Sequence, residues 1–205
     1  MPIRRAMVGA IALLALAASA RGEERLVLEP YPGQPWQDVV NQANGVHFFH
    51  EQMPQGQTPD NFQDLLTSQS LTTFTGTPSE FLTGAFAQLS QNCETVETVG
   101  PTAAEEQGRR VAYGRLYCGK QKGQAFGAHM FFKVIKGSDA LYVIDRDFRM
   151  PPTDHPSTPT LPEDQAITLL QAEGAARKYL NEQVYVCDPV FPDPKCRTEA
   201  VPTGR

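Results

Sequence analysis

Tyr113, Arg115, His129, Lys133, Asp147 and Arg149 are the side chains of this sequence whose types and spacing could act together. They lie in three apolar-rich segments, 109–119, 125–136 and 140–149, separated by the Gly-containing turns Gln121-Lys122-Gly123 and Gly137-Ser138-Asp139. If each turn leaves three residues unpaired, Lys120 faces Gln124 and Lys136 faces Ala140. Arg115, His129 and Asp147 then fall in one row across three neighbouring strands, with Cβ atoms about 4.5–5.5 Å apart. A carboxylate beside an imidazole fixes its tautomer and raises its basicity, which suits a general base or a pH switch. A cross-strand ladder of solvated charges is the alternative use of the same residues.

In this register the opposite face collects Ala112, Leu116, Phe132, Val134, Tyr142, Ile144 and Phe148, with Arg146 as the misfit. That face is the expected core. A one-residue slip would mix it with Lys133, Asp145 and Asp147.

Other candidate chemistry is thinner. His47-Phe48-Phe49-His50-Glu51 lies between Gly45 and Pro54 in a Phe-rich run. Read as a strand, the run sends its two histidines to opposite faces, and the order does not fit a zincin motif. No C-x-x-C pair, nucleotide loop or nucleophile elbow occurs, so no metal or cofactor is expected. Trp36 beside Pro35 reads either as an exposed aromatic anchor or as a residue covering a core edge.

The elements that must position these residues can be read from caps and periodicity. Thr58-Pro59-Asp60, before Phe62, Leu65 and Leu66, reads as a helix start. Thr77-Pro78-Ser79-Glu80 is a capping box, and Phe81, Leu82, Ala85, Phe86 and Leu89 follow at helical spacing. Thr160 to Glu163 repeats the pattern ahead of a long helix near 162–183, with Gly174 inside it. Strands are expected at Arg25–Glu29 and Val46–Gln52, and a three-stranded antiparallel meander at 109–149. The fold class is therefore α+β, an antiparallel sheet with helices packed on it.

Composition bounds the rest. The 205 residues carry 18 Lys and Arg against 23 Asp and Glu, a net charge of −5, which argues against nucleic acid as a partner. Charge is uneven: residues 21–107 hold two basic and twelve acidic side chains, whereas 108–150 hold nine and three. This basic island either compensates neighbouring acidic faces or meets an anionic ligand. Residues 1–20, with Arg4 and Arg5, an apolar run from Met7 to Ala18 and Ala18-Ser19-Ala20, have the anatomy of a cleaved signal peptide. Export to a periplasmic or extracellular space follows, with no membrane span after cleavage. There Cys93, Cys118, Cys187 and Cys196 would be oxidised. Of three possible connectivities, Cys93–Cys118 and Cys187–Cys196 are favoured, because the second closes a short loop holding Pro189, Pro192 and Pro194. The expected organisation is a signal peptide over 1–20, a core over 21–150, a Pro-rich connection over 151–161, a helix over 162–186 and a disulfide-closed loop and tail over 187–205.

Thr58-Pro59-Asp60-Asn61-Phe62, the helix from Phe81 to Cys93, Tyr117-Cys118 and the hairpin from Phe132 to Ile144 together resemble a group of small exported bacterial proteins of unassigned function. By analogy the element order is similar to the Mog1/PsbP/DcrB-type α+β fold. The resemblance implies a non-enzymatic accessory or binding protein and supplies no catalytic residue. Three functions stay open. One is a binding protein that uses the face around Arg115, His129 and Asp147 to take an envelope protein or a small anionic ligand. Another is an inhibitor or immunity protein that inserts the Pro-rich 188–194 loop into an envelope-active enzyme. The third is an enzyme using His129 with Asp147.

Overall fold

The computed structural model describes residues 24–31, 33, 35–44, 47–188 and 194–197. The signal-peptide reading of 1–20 and most of the 188–194 loop lie outside the described residues. Nine strands and two α-helices are present among those described: β1 (Arg25–Leu28), β2 (Trp36–Asn44), β3 (His47–Pro54), β4 (Asp64–Leu71), α1 (Pro78–Ser90), β5 (Val96–Glu106), β6 (Arg109–Cys118), β7 (Gly127–Lys136), β8 (Leu141–Met150), α2 (Glu163–Glu182) and β9 (Val184–Cys187). A seven-stranded antiparallel sheet has the order β2-β3-β4-β8-β7-β6-β5, and β1 pairs with β9 in a separate two-stranded ribbon. No described helix is long and apolar enough to cross a membrane.

The sheet is covered on both faces. The capping box forms as its residues dictate: Thr77 Oγ1 accepts from the Glu80 amide at 3.2 Å and Glu80 Oε2 accepts from the Thr77 amide at 2.7 Å. From there α1 places Leu82 and Phe86, one turn apart, on Ala112, Leu116, Phe132 and Val134. Gly114 permits this contact, since a Cβ there would stand 2.6 Å from the Phe86 ring. On the other face α2 lays Ala176, Tyr179 and Leu180 over Val111, Phe131, Ile135 and Ile144.

Two-sided burial explains the largest departure from the expected register. The turn after β7 leaves four residues unpaired: Gly137 donates to the Ala140 carbonyl at 2.9 Å, and Lys136 pairs with Leu141. Relative to a three-residue turn, all of β8 is turned over. Tyr142, Ile144, Arg146 and Phe148 share the α2 face with Phe131, Lys133 and Ile135, while Asp145 and Asp147 lie on the α1 face. Alternation selects a register only when one face is wet. Here both parities of β8 are buried along most of its length, so the pattern does not discriminate. At the β6–β7 hairpin Arg115 pairs with Phe131 and Tyr117 with His129, a two-residue slip that preserves faces. The segments 109–119, 125–136 and 140–149 thus form interior strands of a wider sheet.

The helix expected at Thr58 is absent. Asn61 Oδ1 accepts from the Thr58 amide at 2.7 Å and from Thr58 Oγ1 at 3.0 Å, closing a turn that leads into β4. The long helix is continuous through Gly174, but its N-cap is Pro162 with no side-chain cap bond, so Thr160 does not cap it. β1 sits in the ribbon rather than the main sheet, and β2, β4, β5 and β9 lie outside the expected strands, β4 in place of the expected helix. Both disulfides are Cys93–Cys118 and Cys187–Cys196.

A polar network fastens the ends of the described chain to the 137–140 turn. The Glu24 carboxylate accepts from the Ser138 and Asp139 amides and from the Tyr142 hydroxyl. Ser138 Oγ donates to Asp188 Oδ2 at 2.6 Å, and Arg109 Nη2 lies 3.2 Å from the same oxygen. Gly137 makes room for Glu24, whose Oε1 would stand 2.2 Å from a Cβ there.

Candidate functional site

The predicted row of Arg115, His129 and Asp147 does not exist. His129 is 2% exposed beneath α2, with Nδ1 2.5 Å from Glu173 Oε1 and Nε2 2.6 Å from the Pro156 carbonyl. Both partners are acceptors, so both ring nitrogens are spent on tying α2 and the Pro-rich connection to the sheet. Asp147 pairs with Met130 on the other face. Its Oδ1 is buried without a hydrogen-bond partner, and burial pushes its pKa up to about 7, opposed by Arg149 and reinforced by the charge of Asp64. Burial beside Asp147 and Glu51 likewise holds the Asp145 carboxyl well above the usual range. These acids lie on the α1 side, away from His129.

Lys133 is also structural. It is fully buried and donates to the Leu180 and Val184 carbonyls, each at 2.9 Å, while its Nζ lies 2.8 Å from Glu106 Oε2. All three ammonium protons are thereby engaged, and the charge caps the C-terminal carbonyls of α2, which carries no basic residue in its last turn. Burial pulls the Lys133 pKa down, and Glu106 opposes that pull. Arg149 donates to the Asp60 carbonyl at 2.7 Å and lies over the Phe62 and Phe126 rings at 4.1 and 3.9 Å.

Arg146, the misfit of the expected core, is accommodated on the α2 side. It makes a two-pronged contact with Asp64, and its guanidinium lies 4.0 Å from the Tyr31 ring and 4.8 Å from that of Trp36. Trp36 therefore covers a core edge. His50 Nε2 is 2.9 Å from Asp38 Oδ1, and His47 Nε2 is 2.6 Å from Thr72 Oγ1. Among the described residues no group of three His, Cys, Asp or Glu is placed to hold a metal.

Arg149 lines a cleft of about 510 Å3 with Phe148, Thr168 and Leu169, and Tyr113 and Arg115 are the two predicted residues that share a site. They line a cleft of about 470 Å3 between β5–β6–β7 and the C-terminal half of α2, a volume in the range of small-molecule sites. The edge strand contributes Val99, Thr102 and Glu106, the sheet floor Phe131, and α2 contributes Arg177, Leu180 and Asn181. A bulge at Gly100-Pro101 builds the rim. Val99 pairs with Arg115 and Thr102 with Tyr113, so Gly100 and Pro101 stand opposite the single residue Gly114, and this one extra residue brings both side chains onto the cleft face. Gly100 has φ +92°, and a Cβ there would stand 2.9 Å from the Tyr113 carbonyl oxygen.

Charge in the cleft is lopsided. Glu106 is neutralised by Lys133 and accepts from the Tyr113 hydroxyl, whose pKa burial and Glu106 push well up. Arg115 Nη1 donates to the Tyr117 hydroxyl at 3.2 Å, and both Arg115 and Arg177 act electrostatically on that hydroxyl. Among the described residues no carboxylate lies within ion-pair distance of Arg115 or Arg177. Sequence reasoning missed Arg177, Asn181, Val99 and Thr102, since helix and edge strand meet only in three dimensions. The Gly100-Pro101 dipeptide was the available signal for a bulge.

No known family's sequence profile matches the chain, and no curated protein matches it. The resemblance to small exported bacterial proteins thus rests on the hairpin and capping residues alone. Solved structures that resemble it include the Ran-binding protein Mog1p of Saccharomyces cerevisiae, 13% identical over 77% of this chain and 89% of that one, with a TM-score of 0.45. LpqN of Mycobacterium tuberculosis, described as involved in cell envelope biogenesis, is 15% identical over 82% of this chain and 87% of its own, TM-score 0.40. PsbP (CyanoP) of Synechocystis sp. PCC 6803 is 13% identical over 88% of this chain and 99% of its own, TM-score 0.42.

Proposed function

We propose that this protein is an exported, non-enzymatic binding protein that takes a small anionic ligand into the cleft between β5–β6–β7 and α2. The observation that carries the reading is the pair Arg115 and Arg177, two guanidinium groups facing one concavity with no carboxylate of the described residues within ion-pair distance. In a protein whose net charge is −5, such a local excess of positive charge draws in anions. Forked guanidinium donors suit carboxylate and phosphate oxygens. The commitment of His129 to Glu173 and the Pro156 carbonyl supports binding rather than turnover. Two disulfides fit an oxidising, extracytoplasmic compartment.

Fluorescence titration of the oxidised protein with anilinonaphthalene sulfonate, an aromatic anion, tests this. Saturable binding is expected, weakened about fivefold to tenfold by Arg115→Gln and by Arg177→Gln, as for loss of a charge-assisted contact. Unchanged affinity in the double variant, with its thermal midpoint preserved, would refute the assignment.

A further inference from the structure

The lining of the cleft sets two cations beside an apolar wall, and this extends the reading above. Arg115 shares its cross-strand row with Val99 and Phe131. Arg177 joins it in the cleft lining from α2, where the neighbouring acid, Glu173, is held by His129. One row further along, the cleft is lined by Tyr113 and by Glu106, whose charge is matched by the buried Lys133. The apolar walls are Val99 and Phe131, on either side of Arg115 in its row, and Leu180 from α2.

Val99 is the telling residue. It is 42% exposed on an edge strand, one of few large apolar side chains left in water, and the bulge turns it into the cleft. A site for a bare inorganic anion has no use for that side chain or for an aromatic floor. A purely apolar guest would leave two guanidinium groups unpaired beside it. At about 30 Å3 per water, the 470 Å3 of the cleft hold roughly fifteen water-sized volumes, enough for a head group and a short chain.

We propose that the ligand is an amphiphile with one anionic head, a carboxylate or a phosphate, on a short apolar stem. The head lies between Arg115 and Arg177, and the stem lies along Val99, Phe131 and Leu180. This inference rests on the anion-binding reading.

The test is displacement of bound anilinonaphthalene sulfonate from the oxidised protein by octanoate, octyl phosphate, octanol, acetate and inorganic phosphate. One or both of the octyl anions should displace the probe at least tenfold better than octanol and at least a hundredfold better than acetate or inorganic phosphate. From butanoate to octanoate, affinity should rise roughly threefold to fourfold per methylene. The ranking of octanoate against octyl phosphate identifies the head. Val99→Ser, an exposed substitution, should flatten the chain-length dependence. If acetate and inorganic phosphate compete as well as their octyl counterparts while probe binding still needs the arginines, the amphiphile is wrong and the anion site stands. If octanol competes as well as octanoate, the head is not recognised and both proposals fall.

Discussion

Arg115 and Val99 face each other across the β5–β6 ladder, one residue before the Gly100-Pro101 bulge. A cation and an exposed apolar side chain are thereby fixed at one position on the cleft rim. The bulge sets Gly100 and Pro101 against the single residue Gly114, and this one extra residue in β5 carries Thr102 to the same face and bends the edge of the sheet.

The bulge should therefore be intolerant of change at its glycine. Gly100→Ala places a Cβ against the Tyr113 carbonyl at φ +92°. A cost of about 1–3 kcal/mol in unfolding free energy is expected for a residue forced into that backbone region. Probe affinity should fall with it, because Val99 and Thr102 shift. Urea denaturation and the same fluorescence titration check both.

His129 should act as a latch. Its replacement by Ala leaves Glu173, only 12% exposed, and the Pro156 carbonyl without their donor. Breaking a buried pair on one side costs about 3–5 kcal/mol. Limited proteolysis should then cut within 151–161 faster than in the parent protein, since Pro156, with Thr153 and Ser157, is one of the points at which that connection is held.

Asp147 should make stability depend on pH with a defined sign. Its folded pKa is raised to about 7, whereas an unfolded aspartate titrates near 3.8. Between these values the folded state holds the extra proton, so this group's contribution is fully present below about pH 4 and is lost as pH rises through 7. Asp145, also raised, acts in the same direction. Urea midpoints from pH 4 to 8 should show the parent losing stability relative to Asp147→Asn, with a slope approaching about 1.4 kcal/mol per pH unit. A flat difference would mean that Asp147 is already ionised.

Glu24 should matter well beyond its local sequence. It accepts from the Ser138 and Asp139 amides and the Tyr142 hydroxyl, so Glu24→Ala strands three donors at the 137–140 turn. A loss of about 1–3 kcal/mol is expected, with faster amide exchange at 138–139 as the local signature.

Where local chemistry determines structure, the sequence could be read directly. The Thr77–Glu80 box, the long helix through Gly174 and the two disulfides follow from neighbouring residues or short loops. The failures are also physical. Thr58 looked like a cap, but Asn61 turns back onto it, and a turn of this kind competes for the same donors. Strand β5 is exposed along almost its whole length and has no apolar alternation to reveal it. The β7–β8 register depended on one extra residue in a turn, and with helices on both faces apolar residues of either parity are satisfied. That single residue moved Asp147 away from His129. Of the six candidate site residues, Tyr113 and Arg115 reach the cleft, because the two-residue slip between β6 and β7 preserved their face. Arg177 was out of reach of any reading by strands.

The most direct measurement is a nuclear magnetic resonance titration of 15N-labelled, oxidised protein with octanoate. Saturable shifts are predicted at the Arg115 and Arg177 side-chain Nε–H groups and at the amides of Val99, Thr102 and Asn181, with Thr168 and Leu169 at the far end of α2 undisturbed. Shifts confined to Thr168, Leu169 and their surroundings, or no saturable shift at Arg115 and Arg177, would contradict the account.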